Sequence, residues 1–414
     1  MKLIKNILLF LIVIGCVEEI DVINYDNFNS LLVVEATITN QYITQEIRLS
    51  RAYPLNTEGP VNESNANVKI VGNDGNLFIF EENEPGTYKS IIPFEAISGV
   101  EYQLEIITEN GLKYGSKSES LSALSQLDDV YSERVYNEEG DEGLAIFVDS
   151  YDSQGISRYY RYEYEETHKI IAPHYNDSIA VIQPQPLPEP GEDFPVPEIT
   201  IEPRDEPVEV CYKTENANSI IIASTIEFIE DRIDRFSVRF IKEDEYSKLL
   251  HRYSILVKQY IQSREAHIYY KTLKEFSLSE SLLYENQAGF FEGNVFSVEN
   301  INEKVIGFFE VSSVSSKRIY LTFDDYFSDL PSPRPENVRC NQFYTPALTA
   351  NDSHDAVAAI SPLETAIIGG LLYYEANDPP FDEFGDFAPF VLVLNECGDC
   401  TNFGVTQVPE WWED

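Results

Sequence analysis

Apolar residues recur at every second position along much of this chain. Leu32, Val34, Ala36 and Ile38 alternate with Val33, Glu35 and Thr37, and Val100, Tyr102, Leu104 and Ile106 alternate with Glu101, Gln103 and Glu105. Successive side chains of a strand point to opposite faces, so period two marks strands with one face buried. Turn signals stand at short intervals: Asn73-Asp74-Gly75, Glu84-Pro85-Gly86 and Asn110-Gly111 supply residues that accept positive φ. Short strands punctuated in this way predict an immunoglobulin-like β-sandwich over 29–122. Residues 123–143 are polar and acidic and predict a connector.

A larger β-rich domain is predicted over 144–395, from "GLAIFVDS", "RYYRYEYEETHKII", "SIIIASTIEFI", "RFSVRFI" and "YSILVKQYI". The period changes after Ser263. That serine is suited to an N-cap, Glu265 falls in the first turn, and Ala266, Tyr269 or Tyr270, Leu273 and Phe276 share one helical face. "KVIGFFEVSSVSSKRIYLTF" predicts a further hairpin or strand pair, and 396–414 a loop-rich tail holding two cysteines. The fold class is therefore mainly β with one or two short helices. Residues 183–207 interrupt it with eight prolines among many acids. Proline fixes φ and lacks a backbone donor, so this insertion predicts an extended arm rather than a helix or central strand. Pro184, Pro186 and Pro188 are candidate partner contacts there.

The N-terminus follows a different pattern. Lys2 and Lys5 precede an apolar run that ends at Gly15-Cys16, and Glu18, Glu19 and Asp21 follow at once. Spanning a bilayer takes roughly 20 apolar residues, and this run is about half that, so it predicts a cleaved export leader over 1–15. Val13-Ile14-Gly15-Cys16 resembles the bacterial lipobox, whose cysteine is lipidated and becomes the first mature residue. Residues 16–28 then serve as an acidic tether. The acids behind Cys16 look like the signal that sends lipoproteins of Bacteroidota to the cell surface.

Charge narrows the partners. With 29 Lys and Arg against 71 Asp and Glu, the formal net charge is -42. Nucleic acids and anionic lipids bind through basic patches, so both are disfavoured. A basic protein, a cationic ligand or divalent metal is compatible with the acidity, as is a merely well-solvated surface. The clusters at 149–155 and 377–386 are candidates for structural calcium, although neither has the spacing of an EF-hand loop; Asp382, Glu383 and Asp386 of the second are also candidate partner contacts. No other cofactor is expected.

Motifs for chemistry are sparse. G-x-x-x-x-G-K, G-x-G-x-x-G and G-x-S-x-G do not occur, and the five histidines form no metal-binding pair of standard spacing. His168 and His174 are separated by a proline and make a weak metal pair. Setting Cys16 aside for lipid leaves Cys211, Cys340, Cys397 and Cys400. Four cysteines in an exported chain favour two disulfides, in any of three connectivities, over zinc or a redox pair at Cys397 and Cys400. The tyrosines suit half-buried strand positions better than a sugar platform.

Several stretches together resemble a family of Bacteroidota outer-membrane lipoproteins, "domain of unknown function 4249". They are "VVEATIT" with "IRLSRAYPL", "YSILVKQY" and the helix behind it, "FEGNVFS", "VIGFFEVSSVSSKRIYL" and the ending "CGDCTNFGVTQVPEWW". This ending departs from the family's pattern at Glu396 and Asn402-Phe403. The resemblance implies a surface lipoprotein that accompanies a TonB-dependent β-barrel transporter, and it supplies no catalytic residues. A non-enzymatic accessory role is thus the leading expectation. A hydrolase of extracellular polymers and a free-standing calcium-stabilised adhesin or ligand-binding module are the alternatives.

Overall fold

A computed structural model describes residues 31–53, 59–185, 196–278, 293–334, 340–349 and 361–414. Cys16, with the leader and the tether predicted over 1–28, lies outside them. The chain is mainly β and divides into two compact units: the described residues up to Ser122 with those of 275–312, and 123–274 with those of 313–414.

In the first unit, one hydrogen-bonded path runs from the first half of Val305–Leu321 through Leu32–Thr39, Glu46–Arg51, Thr87–Ser90, Leu77–Glu84, Asn67–Gly72, Glu101–Ile107 and Lys113–Ser116 to Val295–Ser297. The alternation read from the sequence is the alternation of burial. Leu32, Val34, Ala36 and Ile38 are buried, as are Tyr102, Leu104 and Ile106, and all enter one core. Strands from both ends of the path share that core, so the sheet folds over on itself in a sandwich-like arrangement. Three of its tyrosines are fully buried with their hydroxyls engaged: Tyr88 donates to the Glu63 carbonyl at 2.7 Å, Tyr102 accepts from Ile97 N at 2.9 Å, and Tyr114 donates to Glu303 at 2.5 Å.

The predicted boundary of 29–122 needs correction, because Val295, Val305 and Phe309 complete this core. Leu32–Thr39 pairs in parallel with the start of Val305–Leu321, in register from Leu32 with Val305 to Thr39 with Ser312. Gly307 makes the approach feasible, since a Cβ there would lie 2.4 Å from the Val34 carbonyl oxygen. A period-two pattern shows which face of a strand is buried, not which distant strand it meets.

The second unit packs two sheets. One contains Asp129–Tyr136, Glu142–Asp152 and Asp231–Lys242; the other runs from Val210–Asn216 through Tyr159–Ile171 and Tyr253–Ile261 to the second half of Val305–Leu321, with Ile221–Ser224 also on Tyr159–Ile171. Leu144, Ile146 and Val148 from the first meet Tyr160, Tyr162, Tyr253, Ile255 and Val257 from the second in one core. Residues 123–143 are therefore no connector: Ala123, Leu127 and Val130 belong to this core, and Asp129–Tyr136 is a strand. Its acids, Asp129 and Glu133, sit on the phase opposite the buried Val130 and make the segment look polar in the sequence.

Val305–Leu321 is one 17-residue strand, not a hairpin. Its middle, Ser312-Ser313, lacks glycine, proline, asparagine and aspartate, and the strand passes from the parallel partner to antiparallel pairing with Tyr253–Ile261. The predicted helix forms as Arg264–Leu278, with Ser263 Oγ accepting from Ala266 N at 3.1 Å, and Ala266 and Tyr269 buried. Among the described residues, no helix is long and apolar enough to cross a membrane.

Candidate interaction surface

The C-terminal cysteines build a platform on the second unit. Cys400 is bonded to Cys211 and Cys397 to Cys340. All four are thus consumed, and the C-x-x-C is split between two partners rather than forming a zinc site or dithiol. Residues 396–414 are correspondingly a docked part of the unit and not a tail. Val405 bridges to Tyr212 through backbone hydrogen bonds of 2.8 and 3.0 Å, and a Cβ on Gly404 would lie 2.6 Å from the Tyr212 carbonyl oxygen. The Arg318 guanidinium covers the Trp411 ring, the Tyr320 hydroxyl donates to the Trp411 carbonyl at 2.6 Å, and Lys169 pairs with Asp414 at 2.8 Å.

His174 joins this platform instead of a metal. Its backbone N–H donates to the Cys397 carbonyl at 2.9 Å, its ring nitrogen Nε2 meets the Cys340 carbonyl, and the ring sits 4.9 Å from Phe343 and 5.1 Å from Tyr374. His168 is buried in Tyr159–Ile171, well inside the sheet. Among the described residues, no three His, Cys, Asp or Glu side chains gather around a common point for a metal ion.

Two candidate contact elements stand side by side here. Ser178–Ile182 and Ile199–Pro203 pair as an antiparallel ribbon, so the predicted proline-rich arm is in part a β-ribbon; Pro184 is exposed at its edge, and Pro186 and Pro188 lie outside the described residues. The ribbon lies against Leu372–Ala376, which pairs with Phe390–Val393 and carries the loop that holds Asp382, Glu383 and Asp386. The Asn176 side chain ties the two by donating to the Tyr374 carbonyl at 2.6 Å.

Within that loop the acids have different tasks. Asp382 Oδ1 accepts from Phe384 N and Asp386 N, both at 2.9 Å, and its own N–H donates to the Asp386 carbonyl at 2.9 Å. It caps a tight turn closed by Gly385 at φ +86°. Glu383 is exposed. The turn lifts Phe384 into solvent at 82 % exposure, flanked by half-exposed Phe381 and Phe387. Isolated exposed apolar side chains are ordinary, whereas three phenylalanines on one loop make it a candidate contact surface. The other candidate calcium cluster is likewise a capped turn: Asp152 accepts from Gln154, Ile156 and Ser157 N–H groups at 2.8–3.1 Å.

The densest charge cluster lies elsewhere in the unit and was missed in the sequence. Glu166 is buried, and its carboxylate accepts from Arg239, from Lys248 at 2.6 Å and from the Tyr253 hydroxyl at 2.7 Å. Arg239 and Lys248 also hold Glu245, and Lys248 reaches Glu215 at 2.8 Å. Burial alone would raise the Glu166 pKa, but Arg239, Lys248 and Tyr253 outweigh it and hold the carboxyl at about 2. Every charge in the cluster has a partner, as in a structural clasp. The available signal was parity: Glu166 shares the inward phase of Tyr160 and Tyr162.

The model of one family, described as Domain of unknown function (DUF4249), matches residues 17–318. Comparison with curated proteins finds no match.

Proposed function

The chain belongs to the family described as Domain of unknown function (DUF4249), and from that premise we propose that it is a non-enzymatic, surface-exposed lipoprotein of the outer membrane. Cys16 carries the lipid, and the acids behind it direct the protein outward as in Bacteroidota. The body docks on a TonB-dependent β-barrel transporter or a related barrel complex and assists capture or passage of substrate.

The loop 377–388 carries this reading. Its phenylalanines stand exposed beside acids on a hairpin whose second strand, Phe390–Val393, leads directly to the disulfide-bonded Cys397, which suits recognition of a partner rather than chemistry. A rigid loop loses little conformational entropy on binding, and its aromatic side chains fill pockets well. The Glu166 cluster supports the same reading, because its acids and bases are committed to one another. Lipid anchoring fits the apolar start followed by a strongly acidic body, since more than one acyl chain gives stable attachment without a membrane span.

Fatty-acid labelling and mild-detergent extraction test the two halves together. Wild type is expected to take up label and Cys16→Ser to lose it. Phe384→Ser is expected to keep the label but to co-extract at least ten-fold less barrel. Undiminished barrel recovery with Phe384→Ser would remove the loop from the contact.

A further inference from the structure

A second, independent apolar point emerges where two loops of the second unit meet. We propose that the loops 152–158 and 225–231 form a docking tip for a partner protein that offers an apolar pocket with a basic rim.

The tip is apolar at its surface. Ile156, Ile226 and Phe228 are 57–63 % exposed and Ile229 is fully exposed. Exposing these four on adjacent loops costs solvation free energy in the free protein, and burial in a partner recovers it.

Its base is rigid and polar. Arg158 gathers both loops: Nε donates to the Gly155 carbonyl at 2.9 Å, and Nη1 to the carbonyls of Thr225 and Phe228 at 3.2 and 3.3 Å. The Thr225 N–H donates back to the Arg158 carbonyl at 3.1 Å. Beneath them, Asp231 accepts from the Tyr160 hydroxyl at 2.8 Å and from the Thr225 hydroxyl at 2.5 Å, and Asp152 caps the first loop. The backbone that carries the apolar side chains is therefore tied in place, which lowers the ordering cost of binding.

Charge selects the occupant. Glu227 and Glu230 are exposed and interspersed with the apolar residues, and Glu230 also meets the exposed Arg232 at 3.4 Å, a solvated pair that a partner's base can replace. Sinking the tip into a bilayer would draw both carboxylates toward hydrocarbon, which is costly, and anionic headgroups would repel them. A second copy presents the same acids within a chain of net charge -42. A basic-rimmed protein pocket accepts the apolar residues and pairs the acids at once.

A photo-crosslinking amino acid at Ile229 tests this in intact cells that make the full-length chain, with Glu138, in the turn after Asp129–Tyr136, as the exposed control site. Position 229 is expected to yield one discrete protein adduct at least ten-fold above the control, diminished by Glu227→Lys with Glu230→Lys. Crosslinking to lipid, crosslinking to a second copy, or a signal no higher than the control would overturn the proposal. The result also separates this inference from the transporter reading: an adduct with a protein other than a barrel would keep the docking tip and contradict the transporter as its partner.

Discussion

At position 166 an acid sits on the inward phase of a strand otherwise lined by aromatic rings, and its surroundings dictate how stability must change with pH. Its folded pKa is held at about 2, below the usual 4.5. The stabilisation is therefore complete above about pH 4.5 and is lost as pH falls toward 2. Glu166→Gln leaves Arg239 and Lys248 facing a neutral amide and is expected to cost about 3 kcal/mol at neutral pH. Urea unfolding at pH 7 and pH 3 should show the gap between wild type and variant narrowing on acidification; a constant gap would mean the carboxylate's charge is not what matters. Residue-level features of this kind were partly legible. Parity could have placed Glu166 inside, but Arg239, Lys248 and Glu215 come from segments up to 82 residues away in the chain. Likewise, Asp382 and Glu383 look equivalent in the sequence, and only the backbone separates the turn cap from the exposed acid.

At the scale of elements, local signals were the most legible. The Ser263 cap and the spacing of Ala266 and Tyr269 announced Arg264–Leu278, and alternation announced Glu101–Ile107 almost residue by residue. The long strand Val305–Leu321 was read as two because nothing local says that one strand serves two neighbours in succession. Cysteine pairing is non-local for the same reason. Its consequence is testable: removing the bond across 189 residues with Cys211→Ala and Cys400→Ala is expected to cost about 2–4 kcal/mol. Limited proteolysis should then cut within 399–414, where wild type resists. Equal resistance would mean that Trp411, Trp412 and the backbone bridge at Val405 hold this segment unaided.

At the scale of the whole molecule, the sequence announced a β protein with a division near residue 122 but not that the chain returns to the first unit after residue 274. Chain order was taken for spatial order, and a strand added from 273 residues downstream, as Val305 is from Leu32, leaves no mark near its partner. The cysteine count belongs to this scale too. On the proposed lipidation of the Cys16 thiol, denatured, unreduced protein taken from membranes should expose no free thiol, because the four other cysteines are paired; one reactive thiol per chain would show the lipid to be missing. An anchored subunit bound to a barrel should leave the membrane together with it, and gentle detergent extraction of the tagged full-length protein followed by native mass measurement shows whether it does. A stoichiometric complex with an outer-membrane β-barrel is the predicted result. Repeated recovery of the chain alone from intact outer membranes would contradict it.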